Sequence, residues 1–206
     1  MKIAAHPSMG FRRINEVPRS CLDFVKPFSK PTCYTCPVLD IVEQERVYHG
    51  FMVRSIIYNA RESVTFSGKI RRERFEFQSM MYGAMYVVVP SVATFNLDNF
   101  HYTLIQMDRR EYSYTLQPGQ HHFLSVNIAK TILEENALLD DVVGHWLTRF
   151  NPGASHLYGA HFKMEPFKIL LAELLNINVN NRLRELLFGC QLNELLLKII
   201  EDQGRY

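Results

Sequence analysis

Short runs in which apolar and polar residues alternate occupy the middle of the chain. They are rich in Val, Ile, Tyr, Phe and Thr, and turn residues separate most of them, which is the pattern of β-strands. The runs are VYHGFMVRSIIY, SVTFSG, RFEFQSM, AMYVVVP, VATFNL, HYTLIQM, EYSYTL and HHFLSVNI, all within residues 47–128. About eight short strands with no helical run between them predict an antiparallel sandwich or jelly roll rather than a doubly wound α/β sheet.

The later strands alternate most clearly, and their faces suggest a pocket. Tyr112 and Tyr114 share one face of their strand, whereas the adjacent His121 and His122 must point to opposite faces. Tyrosines with their hydroxyls turned inward could line a small-molecule pocket. The candidate effector-pocket residues are Tyr102, Tyr112, Tyr114 and His122. The alternative is that they are ordinary core and rim residues, because a register shift of one residue reverses every face.

A helical period replaces the alternation from residue 129 onward. Apolar residues recur at three- and four-residue steps over residues 139–150, and a leucine-rich helix is predicted over residues 181–202. That last helix is apolar around so much of its circumference that it must be buried on more than one side. The β-domain can cover one side, and a helix partner or a second subunit should cover the other. A second subunit would make the protein a homodimer, which is the arrangement we expect. The candidate dimer contacts are Leu183, Leu187, Cys190 and Leu197.

The first 46 residues differ from the rest of the chain. They hold five of the nine prolines and three of the four cysteines, and they show neither the strand period nor the helix period. Because proline removes a backbone donor and biases its predecessor away from helix, we expect an irregular arm, with a short turn or helix at residues 39–45. The predicted organisation is an irregular N-terminal arm (residues 1–46), a β-domain (47–128) and a helical dimerisation segment packed on it (129–206).

Composition narrows the class of protein. With 206 residues, of which 47% are hydrophobic and 21% charged, the chain can bury a core, and its net charge of +2 does not indicate a nucleic-acid surface. The densest basic run, KIRRER at residues 69–74, is interpreted as a solvated turn and strand edge. We find no signal peptide and no apolar run of the ~20 residues that span a bilayer. Together with the few cysteines, this predicts a cytoplasmic protein with no membrane partner.

Few residues in the sequence are candidates for catalysis or metal binding. A metal site needs three or four converging ligands, yet His121 and His122 cannot both enter the roll, and His101 has no acidic partner at ligand spacing. Cys33 and Cys36 form a lone CxxC without further zinc ligands or a βαβ context. No nucleophile motif or phosphate-binding glycine loop occurs. The sequence therefore predicts a protein that is not an enzyme and that uses no metal or other cofactor.

The order of elements over residues 47–203 resembles the N-terminal half of AraC-type transcription regulators. The resemblance is carried by Phe95-x-Leu97, Tyr102-Thr103-Leu104, Glu111-Tyr112-Ser113, Pro118-Gly119-Gln120-His121, Val126-x-Ile128 and the closing segment LLFGCQLNELLLKII. It implies a cupin-like jelly roll without catalytic metal, a small-molecule effector, and dimerisation through the closing helices. DNA binding would belong to a helix-turn-helix domain that is absent from this chain.

Two other functions remain open at this point. One is a metal-dependent cupin-type enzyme that uses His101, His121 or His122. The other is a stand-alone interaction protein that pairs with full-length regulators. Both the fragment of a longer regulator and a natural single-domain protein are compatible with the sequence, and neither the effector nor the target promoters can be read from it.

Overall fold

A computed structural model describes residues 10–69, 74–107, 111–137 and 156–203. Within these ranges the chain forms strands, α-helices and short 3₁₀ turns. The strands are β1 (Arg12–Ile14), β2 (Pro31–Cys36), β3 (Leu39–Tyr48), β4 (Phe51–Ala60), β5 (Val64–Lys69), β6 (Arg74–Tyr82), β7 (Ala84–Val89), β8 (Ala93–Asp98), β9 (His101–Met107), β10 (Glu111–Leu116), β11 (Gly119–Ile128) and β12 (His156–Lys163). The α-helices are α1 (Lys130–Ala137), α2 (Lys168–Asn176) and α3 (Arg182–Gln203), and the 3₁₀ turns are Arg19–Phe24 and Glu165–Phe167.

Strands β4 to β11 pair as one long hairpin folded onto itself. β4 pairs with β11, β5 with β10, β6 with β9 and β7 with β8, always antiparallel. The result is two sheets, one with the order β1-β2-β3-β4-β11-β6-β9-β12 and one with the order β5-β10-β7-β8. This nested pairing defines a jelly roll. The predicted fold class was α+β, an antiparallel cupin-like jelly roll followed by a C-terminal bundle of two to three helices. The antiparallel jelly roll and the C-terminal segment of a few helices are confirmed.

The N-terminal region is more regular than predicted. β2 and β3 extend the larger sheet beyond β4, and every residue of β3 pairs with β4. The expectation of an irregular arm is therefore wrong for residues 31–46, and the helix suggested at residues 39–45 is a strand. The prolines led to this wrong prediction because they lie where a sheet tolerates them. Pro31 is the first residue of β2 and Pro37 lies in the turn after it, positions at which strand pairing needs no N–H group.

The run VYHGFMVRSIIY forms two strands rather than one. β3 ends at Tyr48 and β4 begins at Phe51, so that only His49 and Gly50 connect them. These two residues have φ angles of 38° and 83°. A tight hairpin turn of this kind needs positive φ at both central positions, and glycine adopts it without a steric penalty.

The region after the jelly roll is not purely helical. β12 returns to the larger sheet and pairs with β9, which the sequence did not predict. The closing helix is confirmed, because α3 runs over Arg182–Gln203 where residues 181–202 were predicted. The helical run predicted over residues 139–150 lies outside the described residues. No helix in the described ranges has both the length and the apolar character that a membrane crossing requires.

The larger sheet separates two apolar cores. We call the side between the two sheets its inner face and the side covered by the helices its outer face. The inner core includes Tyr58, Leu97 and Phe123, and the outer core includes Phe77, Leu171 and Leu195. A smaller outer cluster under the 3₁₀ turn Arg19–Phe24 contains Cys21, Cys33, Val42 and Ile57. Each fully buried apolar side chain contributes roughly 1.5–3 kcal/mol to folding.

Candidate functional site

The register of the larger sheet aligns five polar residues in one row. β3 pairs with β4, β4 with β11, β11 with β6, and β6 with β9, and each pairing places one polar residue directly opposite the next. Directly paired residues point to the same face of a sheet. In order across the strands, the row consists of Glu45, Arg54, Ser125, Gln78 and Thr103. We call these five residues the polar row.

The polar row points between the two sheets. Ile56 and Phe123 lie two residues from row members on β4 and β11, and both belong to the inner core. Because side chains two apart in a strand share a face, the row faces inward as well. Three further polar residues flank it on the same face: Asn127 and Glu76, which pair with each other, and Glu43 of β3.

Burial of the row is nearly complete except at one end. Arg54, Ser125, Gln78 and Thr103 are inaccessible to solvent, whereas 40% of the Glu45 side chain is exposed. The row therefore runs from the solvent at the β3 edge into the interior of the roll. Polar side chains seldom occupy such positions unless they are hydrogen-bonded.

Several buried atoms of this region have no hydrogen-bond partner among the described residues. They are Arg54 Nη1, Gln78 Oε1, Thr103 Oγ1, Ser125 Oγ, and both Asn127 Nδ2 and Asn127 Oδ1. Each buried polar group left in this state costs about 1–3 kcal/mol. A set of such atoms on one face, donors and acceptors together, is the arrangement that a bound polar molecule or ordered water would satisfy.

Arg54 is the electrostatic centre of the site. Its guanidinium hydrogen-bonds to Glu45 Oε2, and its Nε lies 2.9 Å from Glu43 Oε1. Burial by itself would lower the pKa of Arg54, but the hydrogen bond to Glu45 and the charges of Glu43, Glu45 and Glu76 together raise it. Burial also raises the pKa of Glu43, and the nearby Arg54 only partly opposes this. Arg54 is therefore held in its charged form inside the roll.

Tyrosines of the smaller sheet face the polar row. Tyr112 and Tyr114 of β10 are buried, with ring centroids 4.8 Å apart. The Gln78 Nε2 atom donates a hydrogen bond of 3.3 Å to the Tyr114 hydroxyl. The Tyr112 ring lies over Gly68, where an added Cβ would come within 2.2 Å of the ring. A glycine at that position of β5 is what allows the Tyr112 ring to lie there.

The structure brings together two of the four residues predicted to line an effector pocket. Tyr112 and Tyr114 lie in the inner core, but Tyr102 lies in the outer core, where its hydroxyl donates a 2.5 Å hydrogen bond to Asp202 Oδ2 of α3. His122 also leaves the interior: its Nε2 lies 2.7 Å from Ser55 Oγ, and its ring contacts Phe24. Tyr102 was wrongly predicted to line the pocket because the sequence does not show which face of β9 points inward. Thr103, the next residue, has that position.

The histidines and cysteines considered for metal binding are dispersed. His101 Nδ1 lies 2.8 Å from Asp98 Oδ1, and His121 Nε2 lies 2.8 Å from the carbonyl of Gln117. Within the described ranges, no group of three or more His, Cys, Asp or Glu residues is placed to hold a metal ion. Cys33 and Cys36 belong to different cores, as residues three apart in a strand must.

The candidate dimer residues lie on the solvent side of α3. Leu183, Leu187 and Leu197 are 78%, 42% and 47% exposed, and Cys190 is also exposed. The opposite side of the helix is buried in the outer core through Phe188, Leu192, Leu195, Leu196, Ile199 and Ile200. The described residues therefore cover one side of α3, and dimerisation through the other side stays a prediction.

The residues of the polar row were not singled out by sequence reasoning, although a signal exists. Arg54 is the single charged residue of β4, and Gln78 and Ser125 occupy the second set of alternating positions in strands whose first set is mostly apolar. Strands that are buried on both faces should be apolar throughout. A charged or amide residue within them therefore marks a site that a search for histidines and tyrosines overlooks.

No known family profile and no curated protein matches the sequence. Among solved structures, the AraC-like transcriptional activator CuxR is similar over 94% of this chain and 60% of its own, with 7% identity and a TM-score of 0.47. The cupin domain of an XRE-family transcriptional regulator from Enterobacter cloacae is similar over 43% of this chain and 95% of its own, at 12% identity and a TM-score of 0.35. An RmlC-like cupin from Shewanella frigidimarina is similar over 44% and 75%, at 10% identity and a TM-score of 0.33.

Proposed function

We propose that this chain is the effector-sensing and dimerisation domain of an AraC-type transcription regulator, that it works in the cytoplasm, and that it is not an enzyme. The observation that carries the sensing role is the polar row, whose buried side chains include several atoms with no hydrogen-bond partner among the described residues. A protein that used this interior only for stability would fill it with apolar side chains. The site is therefore best explained by a small-molecule effector bound between the sheets.

The dimerisation role rests on the exposed side of α3. Leu183, Cys190 and Leu197 follow one another at intervals of seven residues, and Leu187 lies beside them. This spacing is that of a helix seam packed against a second helix. A second copy of the chain, related by a two-fold axis, would cover the seam of both helices at once. DNA binding is assigned to a helix-turn-helix domain outside this chain.

Static light scattering tests the dimer directly. We expect a dimer at tens of micromolar, and we expect Leu187→Lys to yield a monomer because a charge would be buried in the seam. Leu22→Lys, at an apolar residue that is 53% exposed in the 3₁₀ turn Arg19–Phe24, is the matched control and should remain a dimer. A wild-type chain that stays monomeric at this concentration would contradict the proposal.

A fusion protein tests whether the chain can drive the output of a regulator. The chain would replace the dimerisation region of a DNA-binding protein whose operator affinity requires dimerisation. Operator binding should be restored by the wild-type chain and by Leu22→Lys, and lost with Leu187→Lys. Equal operator binding by all three fusions would show that α3 does not mediate the dimer.

A further inference from the structure

The side chain of Asn127, beside the polar row, is buried with its whole amide group unbonded. Asn127 lies on the inner face of β11, two residues beyond Ser125, and only 5% of it is exposed. Its Nδ2 atom is a donor and its Oδ1 atom an acceptor, and neither has a hydrogen-bond partner in the part of the chain that the structure describes. Such an amide loses its bonds to water on folding and gains none in return. Both of its polar atoms are therefore open to a ligand.

The strands beside Asn127 do not supply the missing bonds. Asn127 pairs with Met52 of β4 and with Glu76 of β6, and directly paired residues are the nearest side chains on one face of a sheet. The thioether of Met52 is a weak acceptor and has no N–H or O–H group. Glu76 has interactions of its own. The amide is therefore left open toward the space between the two sheets.

Three residues of the polar row add uncharged groups to this amide. The Gln78 Nε2 atom donates to the Tyr114 hydroxyl, which leaves Gln78 Oε1 as an unbonded acceptor. Ser125 Oγ and Thr103 Oγ1 also lack a partner within the described ranges, and a hydroxyl group can both donate and accept. Together with Asn127, these residues present donors and acceptors to one space. A ligand that fits them carries both kinds of group as well.

The ligand that fits these groups best has no net charge. The buried cation of the row is already ion-paired, because Arg54 Nε lies 2.9 Å from Glu43 Oε1 and Arg54 Nη2 contacts Glu45 Oε2. A charged ligand would be buried beside amides and hydroxyls that cannot neutralise it, which is strongly unfavourable. Arg54 Nη1 remains as one further donor without a partner among the described residues. A carbonyl oxygen of an uncharged ligand can accept from it.

Aromatic rings line the same space. The ring centroid of Tyr114 lies 6.0 Å from that of Phe123 and 5.7 Å from that of Phe66. Phe123 is two residues from Ser125 on β11 and therefore shares its face. Aromatic rings pack against other flat groups in stacked or edge-on arrangements. The space between the sheets therefore suits a planar ligand.

An amide edge fits Asn127 better than a hydroxyl group does. In a lactam, a cyclic imide or a nucleobase, an N–H donor and a C=O acceptor lie side by side in one plane. Two parallel hydrogen bonds can join such an edge to the two atoms of the Asn127 carboxamide, in the way that asparagine and glutamine recognise adenine. A single hydroxyl group cannot bond to both atoms with good angles.

We infer that the polar row binds an uncharged, planar molecule through an amide edge, that is, an N–H and a C=O group side by side in one ring. Asn127 forms the pair of hydrogen bonds, Ser125 and Gln78 bind further polar groups of the ligand, and aromatic rings cover its plane. This inference rests on the proposed sensing function and adds the chemical class of the effector. Lactams, cyclic imides and nucleobases share this chemistry.

Matched ring compounds test the amide edge and distinguish its sources. δ-Valerolactam has the edge, N-methyl-δ-valerolactam lacks its N–H donor, and δ-valerolactone has oxygen in place of nitrogen. Succinimide with N-methylsuccinimide, and uracil with 1,3-dimethyluracil, form two further sets. Ligand-observed NMR titration of the full chain gives the dissociation constant of each probe. We expect each N–H compound to bind about tenfold more tightly than its methylated counterpart, because a site built to hydrogen-bond a group rejects an analogue that lacks it.

Substitution of the amide locates the effect. Asn127→Leu should weaken binding of the N–H compounds by about tenfold and abolish their advantage over the methylated ones. It should not destabilise the ligand-free chain, because the lost atoms have no bonds among the described residues. Asn96→Leu, at an exposed asparagine of β8, is the matched control and should bind every probe as the wild type does.

A smaller change covers the case in which Asn127→Leu does not fold. Ser125→Ala removes one hydroxyl beside the amide. It should weaken binding of the N–H compounds about threefold while keeping their advantage over the methylated ones, since Asn127 is still present. Unchanged binding in both Asn127→Leu and Ser125→Ala, or in Ser125→Ala alone if the first variant does not fold, would place the ligand elsewhere and overturn the inference.

The outcomes separate this inference from the sensing function. Equal binding of methylated and unmethylated rings would overturn the amide edge and leave small-molecule sensing in place, and so would binding of glucose or glycerol alone. A clear loss of stability in ligand-free Asn127→Leu would show that the amide is already bonded in the fold, which overturns the inference and removes support for sensing. If no probe binds, the inference is overturned, while light scattering and the fusion assay judge dimerisation separately.

Discussion

The two faces of the larger sheet differ in how their buried polar side chains are hydrogen-bonded. On the outer face, Ser55 bonds to His122, Tyr102 bonds to Asp202, and Gln44 bonds to backbone carbonyls of Lys26 and Ser29. On the inner face, Ser125 and Thr103 have hydroxyls with no hydrogen-bond partner among the described residues. The same strands carry both sets of residues. Most of the buried atoms without a partner among the described residues therefore lie on the inner face, although Arg46 Nε and Gln191 Oε1 lie elsewhere.

The comparison also indicates that the outer face contributes mainly to the stability of the fold, whereas the polar row is retained for binding. On the outer face, strands and helices share the largest apolar core, whereas the inner face carries the polar row beside its own apolar core. Substitutions on the outer face should therefore cost stability, while matched substitutions in the row should cost little or none. The following predictions test this difference, from the largest expected effect to the smallest.

Loss of a large side chain from the outer core should have the largest effect. Phe77 is completely buried. Its ring centroid lies 5.0 Å from the ring centroid of Tyr102 and 5.7 Å from that of Phe167. Phe77→Ala should lower the free energy of unfolding by about 3–5 kcal/mol, because it removes buried area and leaves a cavity. Urea denaturation measures the change. The control Phe100→Ala, at a 64% exposed residue, should stay within about 0.5 kcal/mol of the wild type.

The strands and the closing helix were largely predictable from the sequence, and the site was not. Alternation predicted β10 and β11, and the leucine pattern predicted α3. The polar row was not predicted because its members come from five strands. Only the register of the strand pairing places them next to one another. A one-residue change in register would separate them, and no local pattern specifies the pairing of strands as distant in sequence as β4 and β11.

The second prediction concerns acid stability and the outer-face histidine. Burial, with a smaller effect from Lys26, lowers the pKa of His122 from 6.5 to about 4. Between these two values the unfolded chain binds a proton that the folded chain does not, so stability falls as the pH falls from 6.5 to 4. The contribution lost over this window is about 3 kcal/mol.

His122→Gln removes this titration while keeping a hydrogen-bonding group near Ser55. Urea denaturation at a series of pH values should show a smaller acid loss of stability in the variant than in the wild type. The difference between the two profiles isolates His122 from the carboxylates that titrate in both proteins. Parallel profiles would show that His122 is protonated equally easily in the folded chain, which would contradict its burial under Phe24.

The third prediction concerns the link between β9 and the end of α3. Tyr102→Phe removes the hydroxyl that donates to Asp202 Oδ2 but keeps the ring that packs in the outer core. A hydrogen bond to a charged group contributes about 1.5–3 kcal/mol. Hydrogen exchange should therefore become faster in the last turns of α3. Tyr86→Phe, at a residue that is 44% exposed, is the control, and an equal change there would refute the assignment.

The fourth prediction, with the smallest expected effect, compares one buried serine on each face of the larger sheet. Ser55 and Ser125 are both completely buried, on neighbouring strands of the same sheet, but they point to opposite faces. Ser55→Ala leaves His122 Nε2 without its partner and should cost about 1–3 kcal/mol. Ser125→Ala removes a hydroxyl for which the described part of the chain offers no partner. It should change the free energy of unfolding by less than about 0.5 kcal/mol, or raise it.

Both variants delete one oxygen atom from a serine in the same sheet, so the loss of buried volume is equal and cancels in the comparison. What differs is whether the oxygen had a partner in the ligand-free chain. If Ser125→Ala costs as much as Ser55→Ala, the hydroxyl of Ser125 is already bonded without an effector, and the polar row is a structural network. If Ser125→Ala leaves stability unchanged, the hydroxyl contributes nothing to the ligand-free fold and stays available for a ligand, as a sensing site requires.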